Sequence, residues 1–205
     1  MRATFVIPAV VLVFFALQIA ISGFTEAFLL DSAEFSARPL TIITAMFLHA
    51  DVTHLVYNML ALVMFGLVLE SIIGTKRFWV LYFAGGIVAG IVAVLFYPAS
   101  LGASGAIFAV LGALAVLRPR MMVWIGYIPM PMALAAVVWV MIDLIGLITP
   151  SGVANAAHIG GLAFGVAAGF VLRRRFGQPF RRRQARRVLS EHDIERWEDG
   201  WMNRR

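Results

Sequence analysis

Residues 102–117 read GASGAIFAVLGALAVL, where a serine between two glycines opens an apolar segment without a charged residue. Comparable segments recur along the chain, and hydrocarbon about 30 Å thick requires roughly 20 apolar residues per helix. Runs such as residues 6–16 and 87–96 lack the apolar and polar alternation of a membrane-spanning strand. The segments therefore predict membrane helices, at 5–24, 52–73, 78–97, 104–117, 132–148 and 154–172.

The composition agrees with a membrane location. The 205 residues are 61% hydrophobic and 14% charged, whereas soluble domains are about 45–50% apolar. We therefore expect an all-α, polytopic integral membrane protein, with a bundle of six transmembrane helices in residues 1–172 and a basic tail in residues 173–205. The chain has no cysteine, which excludes disulfides and thiol chemistry.

Positive charge predicts the orientation of the six helices. All basic residues except Arg38 fall at alternate helix ends: Arg2, Lys76, Arg77, Arg118, Arg120 and the eleven arginines from Arg173 onward. Because cytoplasmic loops are enriched in Lys and Arg, we expect both termini to be cytoplasmic. We expect a multi-pass protein of the plasma (inner) membrane, whose tail contacts anionic headgroups rather than nucleic acid.

Polar residues interrupt three of the apolar segments. His54 and Asn58 lie in the second, Ser104 begins the fourth, and His158 lies in the sixth. In the predicted topology these three helices run from outside to inside, so residues within about two turns of each helix start lie at one depth. The sequence thus predicts a polar site that opens to the outer side.

Glycines indicate how two of these helices could meet. Small residues at every fourth position let helix backbones approach closely within a membrane. Gly161 and Gly165 share a helical face with His158, and Gly105 directly follows Ser104. We therefore predict a close pairing of the fourth and sixth helices that brings Ser104 and His158 together.

These residue types suit acyl transfer. A serine hydroxyl becomes nucleophilic when a base within about 2.6–3.2 Å accepts its proton, and His158 is the candidate base for Ser104. The oxyanion would be bound by the backbone N–H of Ser104, by Asn58 and by His54. The sequence shows no carboxylate evidently placed to orient His158, so we predict a dyad rather than a triad. Asp143, at a similar depth, is expected to pair with a polar neighbour or to help admit water.

Other readings of the same residues predict different proteins. Ser104 could be a helix cap, and His54 and Asn58 could form hydrogen bonds between helices. His49, His54 and His158 could bind zinc, but that leaves Ser104 and Asn58 unexplained, and we expect neither metal nor cofactor. His49 is expected to anchor a loop instead. A transporter would show an inverted repeat, and the sequence shows none.

With these residues identified, the chain resembles the rhomboid family of intramembrane serine proteases along residues 5–172. The resemblance depends on four groups of residues in order: Phe47-Leu48-His49 with His54, Asn58 and Met59; Gly66 with Glu70 and Gly74; Gly102-Ala103-Ser104-Gly105; and Ala157-His158 with Gly161 and Gly165. The chain departs from the family pattern in two places. Leu40-Thr41 stand where Trp-Arg is common, and Phe108 replaces a tyrosine that stacks on the histidine.

The resemblance implies a six-helix bundle in which Ser104 and His158 form the catalytic dyad, assisted by Asn58 and His54. It also implies the substrates, which are single-span membrane proteins cleaved within or near their transmembrane segments after entering beside the second and fifth helices. Structural roles are expected for Gly102, Gly105, Gly161, Gly165 and Glu70. The alternative is a non-catalytic rhomboid-like protein that binds membrane clients, but such a relative is expected to lack the serine or the histidine.

Overall fold

The computed structural model describes residues 1–149 and 152–176, together with the helical residues Arg196 and Asp199. The predicted contact of the basic tail with headgroups falls largely outside the described residues. In chain order the described α-helices are α1 (Ala3–Ala20), α2 (Phe24–Phe28), α3 (Thr41–Thr44), α4 (Val52–Ile73), α5 (Thr75–Phe96), α6 (Ser104–Leu117), α7 (Met132–Ile148) and α8 (Asn155–Phe176), and a 3₁₀ turn covers Ala45–Phe47.

Among the described residues, four helices are long and apolar enough to cross a membrane, namely α1, α4, α5 and α8. The apolar helices α6 and α7 have 14 and 17 residues, or about 21 and 25 Å at 1.5 Å per residue. Helices α4, α6 and α7 have the predicted ends. Helix α1 stops at Ala20 rather than residue 24, because the chain becomes extended at Ile21 and turns through Gly23, whose φ is 80°, into α2.

The ends of α5 and α8 also differ from the prediction. Helix α5 begins at Thr75, directly after Gly74, whose φ of 82° breaks the helical path from α4. Helix α8 continues to Phe176, so the predicted boundary between residues 172 and 173 falls inside a helix. Arginines therefore extend the last turn of α8 beyond its apolar part.

The structure is mostly helical, as predicted, and it also contains two short antiparallel strand pairs that the sequence analysis did not predict. Strand β1 (Leu30–Asp31) pairs with β2 (Ala99–Ser100), and β3 (Met122–Ile125) pairs with β4 (Ile128–Pro131). In the second pair Gly126, at φ 60°, occupies the first position of a two-residue turn, which favours glycine in a type II′ hairpin. β-Branched residues lie on both sides of this turn and Trp124 lies before it, which is a hairpin signal.

Helix α6 is the centre of the bundle. It contacts α4, α5, α7 and α8, and small or branched side chains around its whole circumference are buried, among them Ala106, Ala109, Val110, Ala113 and Leu114. Helix α7, in contrast, has four buried residues: Met132, Ala135, Ala136 and Asp143. Its remaining apolar side chains form part of the surface that a bilayer would cover.

The predicted close approach of the fourth and sixth helices is present between α6 and α8. A Cβ added at Gly161 would overlap the carbonyl oxygen of Gly105, and one at Gly165 would overlap that of Ala109. The two backbones are therefore in direct contact, without intervening side chains. This is the packing that small residues permit within a membrane.

Glu70 joins α4 to the start of α1. Its Oε1 accepts a hydrogen bond from the Ala3 N–H at 2.8 Å, while Oε2 accepts from the Thr4 N–H at 3.2 Å and the Thr4 hydroxyl at 2.7 Å. The first N–H groups of a helix lack partners within it. Glu70 on α4 therefore supplies the hydrogen-bond partners that the first residues of α1 lack.

The first loop is held at His49. Gln18 Oε1 accepts from the His49 N–H at 3.0 Å, and Gln18 Nε2 donates to the His49 carbonyl at 3.2 Å. The side chain is 1% exposed, and its ring lies edge-on to that of His54 at 5.0 Å between centroids. Burial lowers the pKa of the His49 imidazole to about 4, so the ring is neutral at physiological pH.

We predict that Glu70→Gln destabilises the protein by about 2 kcal/mol, since the amide presents an N–H₂ group to the donors of Thr4. Thermal unfolding in detergent measures this effect. The control is Glu26→Gln, at an exposed carboxylate, which should change stability by no more than about 0.5 kcal/mol. Equal stability of Glu70→Gln and wild type would contradict the capping role.

We also predict acid sensitivity at His49. Below the ordinary value of 6.5 the unfolded chain gains a proton there, whereas the folded chain gains it only near pH 4. The stability due to the buried neutral ring is therefore complete above about pH 6.5 and is lost as the pH falls toward 4. The decrease in Tm between about pH 7 and about pH 4.5 should be smaller in His49→Asn than in wild type. Equal decreases would refute this prediction.

Candidate active site

Ser104 and His158 meet at the α6–α8 contact. Ser104 is the first residue of α6, and His158 is the fourth residue of α8. The Ser104 Oγ lies 2.8 Å from the Nε2 of His158, and both side chains are partly buried. This separation is within the range over which a base can accept the proton of a nucleophile.

Phe108 fixes the plane of the imidazole. It lies one turn after Ser104 on the same face of α6, and its ring stacks on that of His158 at 4.3 Å between centroids and 10° between planes. Phenylalanine at this position therefore retains the stacking that the resemblance associates with tyrosine.

The sequence showed no carboxylate evidently placed beside His158, but the structure has one there. Asp143 Oδ1 lies 3.1 Å from the Nδ1 of His158. Asp143 belongs to α7 and is 4% exposed. The expectation that Asp143 pairs with a polar neighbour is confirmed, and that neighbour is the imidazole. Three side chains from three helices, Ser104, His158 and Asp143, thus form a continuous hydrogen-bonded chain.

His54 and Asn58 lie beside this chain on α4. The side chain of Asp51 caps α4 by accepting from the His54 N–H at 2.8 Å. The N–H of Ala50 lies 3.4 Å from His54 Nδ1, which leaves Nε2 as the protonated nitrogen. Asn58 is buried and donates one N–H to the His54 carbonyl at 2.9 Å, which leaves a second N–H for another acceptor.

Gly102 keeps space for the His54 ring next to Ser104. Its φ is 122°, a conformation that side chains rarely adopt. A Cβ at this position would lie 2.8 Å from His54 Cε1. The N–H of Gly102 donates to the Ala45 carbonyl at 2.9 Å, which ties the start of α6 to the first loop.

Ser104, His158, His54 and Asn58 all line one cavity of about 980 Å³. Its wall combines the start of α4, the connection from α5 to α6, and the end of α7 with the start of α8. The other lining residues are mainly apolar or aromatic and include Tyr57, Tyr97, Leu101, Leu147 and Val153. The site therefore faces a space large enough for a peptide and water.

The zinc alternative lacks a ligand set. Within the residues that the structure describes, no three His, Asp or Glu side chains are grouped as metal ligands would be. Both ring nitrogens of His158 already have partners, Ser104 and Asp143. In this arrangement the imidazole has no free lone pair for a metal.

Comparison with known proteins gives the same family as the residue pattern. A rhomboid domain matches residues 36–175. The chain is 36% identical over 133 residues to RHOMBOID-like protein 6, mitochondrial, of Arabidopsis thaliana, with 64% of this chain and 43% of the relative covered. It is 34% identical over 164 residues to Rhomboid protein 1, mitochondrial, of Saccharomyces cerevisiae, with 73% and 46% covered.

A third relative is named as a protease. The chain is 36% identical over 136 residues to Rhomboid protease GluP of Bacillus subtilis, with 64% of this chain and 25% of the relative covered. The chain thus spans less than half of the length of these relatives. The matched domain covers more than half of the chain and contains the whole Ser104–His158 site. This multi-pass integral membrane protein belongs to the rhomboid family.

Proposed function

We propose that the protein is an intramembrane serine endopeptidase that cleaves single-span membrane proteins within or near their transmembrane segments. The observation that carries this proposal is the 2.8 Å contact between Ser104 Oγ and His158 Nε2. A serine that merely capped α6 would not need an imidazole at this distance. A relative named rhomboid protease adds support.

The mechanism begins with proton transfer. His158 Nε2 accepts the proton of Ser104 as its Oγ attacks the scissile carbonyl carbon, and the carbonyl π electrons move to the oxygen. The oxyanion electrons then re-form the carbonyl, the C–N bond breaks, and His158 donates this proton to the leaving amine, which departs as the new N-terminus. Water, activated by the same nitrogen, hydrolyses the acyl-serine and restores the site. These steps require no metal, nucleotide or organic cofactor.

The oxyanion would be stabilised by three donors around Ser104. The first is the Ser104 backbone N–H, because the initial N–H groups of a helix have no partner within it. The others are the second Asn58 N–H and His54 Nε2, both of which line the same cavity as Ser104. Fixed donors at a developing oxyanion are usually a large part of catalysis.

The proposed topology has six membrane helices, cytoplasmic termini and a cavity that opens to the outer side of a plasma (inner) membrane. It is supported by the grouping of basic residues at the opposite end of the bundle. Arg118 donates to the Phe176 carbonyl at 3.2 Å, and the Arg77 guanidinium lies 5.2 Å from the Phe176 ring centroid. We place the boundary between protease domain and tail after Phe176, and propose that the tail contacts anionic headgroups.

We predict that Ser104→Ala and His158→Ala each abolish cleavage of a labelled single-span substrate in proteoliposomes. The matched control is Ser100→Ala, at another serine that lines the cavity, which should retain activity. Full cleavage by Ser104→Ala would refute the proposal. Binding of several substrates by wild type without cleavage would instead support the client-binding alternative.

For Asn58→Ala we predict a decrease in kcat of about 10²–10³-fold with a nearly unchanged KM, because an oxyanion donor acts mainly in the transition state. Steady-state kinetics on the same substrate measures both constants. A normal kcat would remove Asn58 from the oxyanion site.

A further inference from the structure

We propose that Asp143 is a positioning residue for His158, which it holds in the tautomer and orientation that let Nε2 act as the base for Ser104. The inference rests on the proposed function and adds a third residue to the predicted dyad. It concerns a carboxylate that the sequence assigned only to polar pairing or to water entry.

The two contacts of the imidazole lie on its two different nitrogens. Asp143 Oδ1 is 3.1 Å from Nδ1, and Ser104 Oγ is 2.8 Å from Nε2. An ionised carboxylate only accepts hydrogen bonds, and a neutral imidazole carries one N–H. Nδ1–H must therefore donate to Asp143, which leaves the lone pair of Nε2 directed at the serine hydroxyl.

The surroundings of Asp143 indicate that its negative charge acts on the His158 imidazole. The residue is 4% exposed in an otherwise apolar helix, and its Oδ2 has no hydrogen-bond partner among the described residues. A buried carboxylate with one neutral partner is costly. When His158 accepts the Ser104 proton, the pair becomes an ion pair, so the charge stabilises the state in which the imidazolium forms.

A simpler role would be to tie α7 to α8. That contact is already close without Asp143, because a Cβ at Gly146, one turn further along α7, would lie 2.5 Å from the Asn155 side chain. The two helices therefore also approach closely at Gly146, so their contact does not depend on the carboxylate alone.

Several titratable groups surround His158, and they affect how a pH profile is read. The groups in or beside its cavity are Asp51 and His54 at the start of α4, Tyr57 on α4, Tyr97 after α5, Ser104 on α6 and Asp143 on α7. The Asp51 carboxylate already accepts a hydrogen bond from the His54 N–H. Within the part of the chain described, Asp143 is the carboxylate in direct contact with the ring.

The test is the rate at which a serine-reactive fluorophosphonate modifies Ser104 in the full-length protein, measured across pH. For Asp143→Asn we expect a decrease of between tenfold and about 10⁴-fold. We also expect the acidic limb of its pH–rate profile to move to lower pH, because the amide no longer favours the imidazolium. Asp143→Glu, which keeps the charge, should regain part of the rate and keep the wild-type limb.

The control for simple loosening of α7 is Met132→Ala, which removes a fully buried side chain from the same helix. It should lower the Tm and leave the acidic limb in place. An Asp143→Asn variant with the wild-type rate and limb would overturn the inference, as would an Asp143→Glu variant whose limb also moves. If the fluorophosphonate modified Ser104→Ala and wild type equally, the proposed function would be overturned as well. The same holds if it did not modify the wild type at all.

Discussion

Backbone contact between α6 and α8 is the constraint on which the site depends. Gly161 and Gly165 rest against the carbonyl groups of Gly105 and Ala109, so no side chain separates the two helices. This proximity lets a short serine side chain reach an imidazole on the next helix. A larger residue at either glycine would move the helices apart by the thickness of a side chain. The cavity, the side chains of His54 and Asn58, and Asp143 are all arranged around this one contact.

Much of this arrangement was predictable because a bilayer imposes simple rules on sequence. Hydrocarbon thickness determines the length of apolar segments, and α4, α6 and α7 have the predicted ends. In membrane helices that run in the same direction, residues at equal distances from the helix start lie at the same depth in the bilayer. Ser104 and His158 could therefore be paired although 54 residues separate them. The glycines at every fourth position then predicted which helix faces meet.

Two kinds of feature could not be predicted from the sequence. One is the rotation of a helix about its own axis, and the other is a hydrogen bond between residues far apart in the chain. Helix α7 is apolar around most of its circumference, so its sequence does not show which face bears Asp143 toward α8. The donors for Glu70, at Ala3 and Thr4, lie on a helix whose start the hydropathy pattern placed two residues too late. The residues around the Gly126 turn are a sequence signal for the β3–β4 hairpin. These residues are uniformly apolar, however, so they resemble the membrane segments on either side.

We propose that Ser104 is a nucleophile facing preformed oxyanion donors. The most direct measurement is an experimental structure of the protein after reaction with a fluorophosphonate. We expect a covalent bond from Ser104 Oγ to phosphorus, with the phosphonyl oxygen within about 3 Å of the Ser104 N–H, Asn58 and His54. An adduct at another residue, or a phosphonyl oxygen that contacts none of these donors, would contradict it.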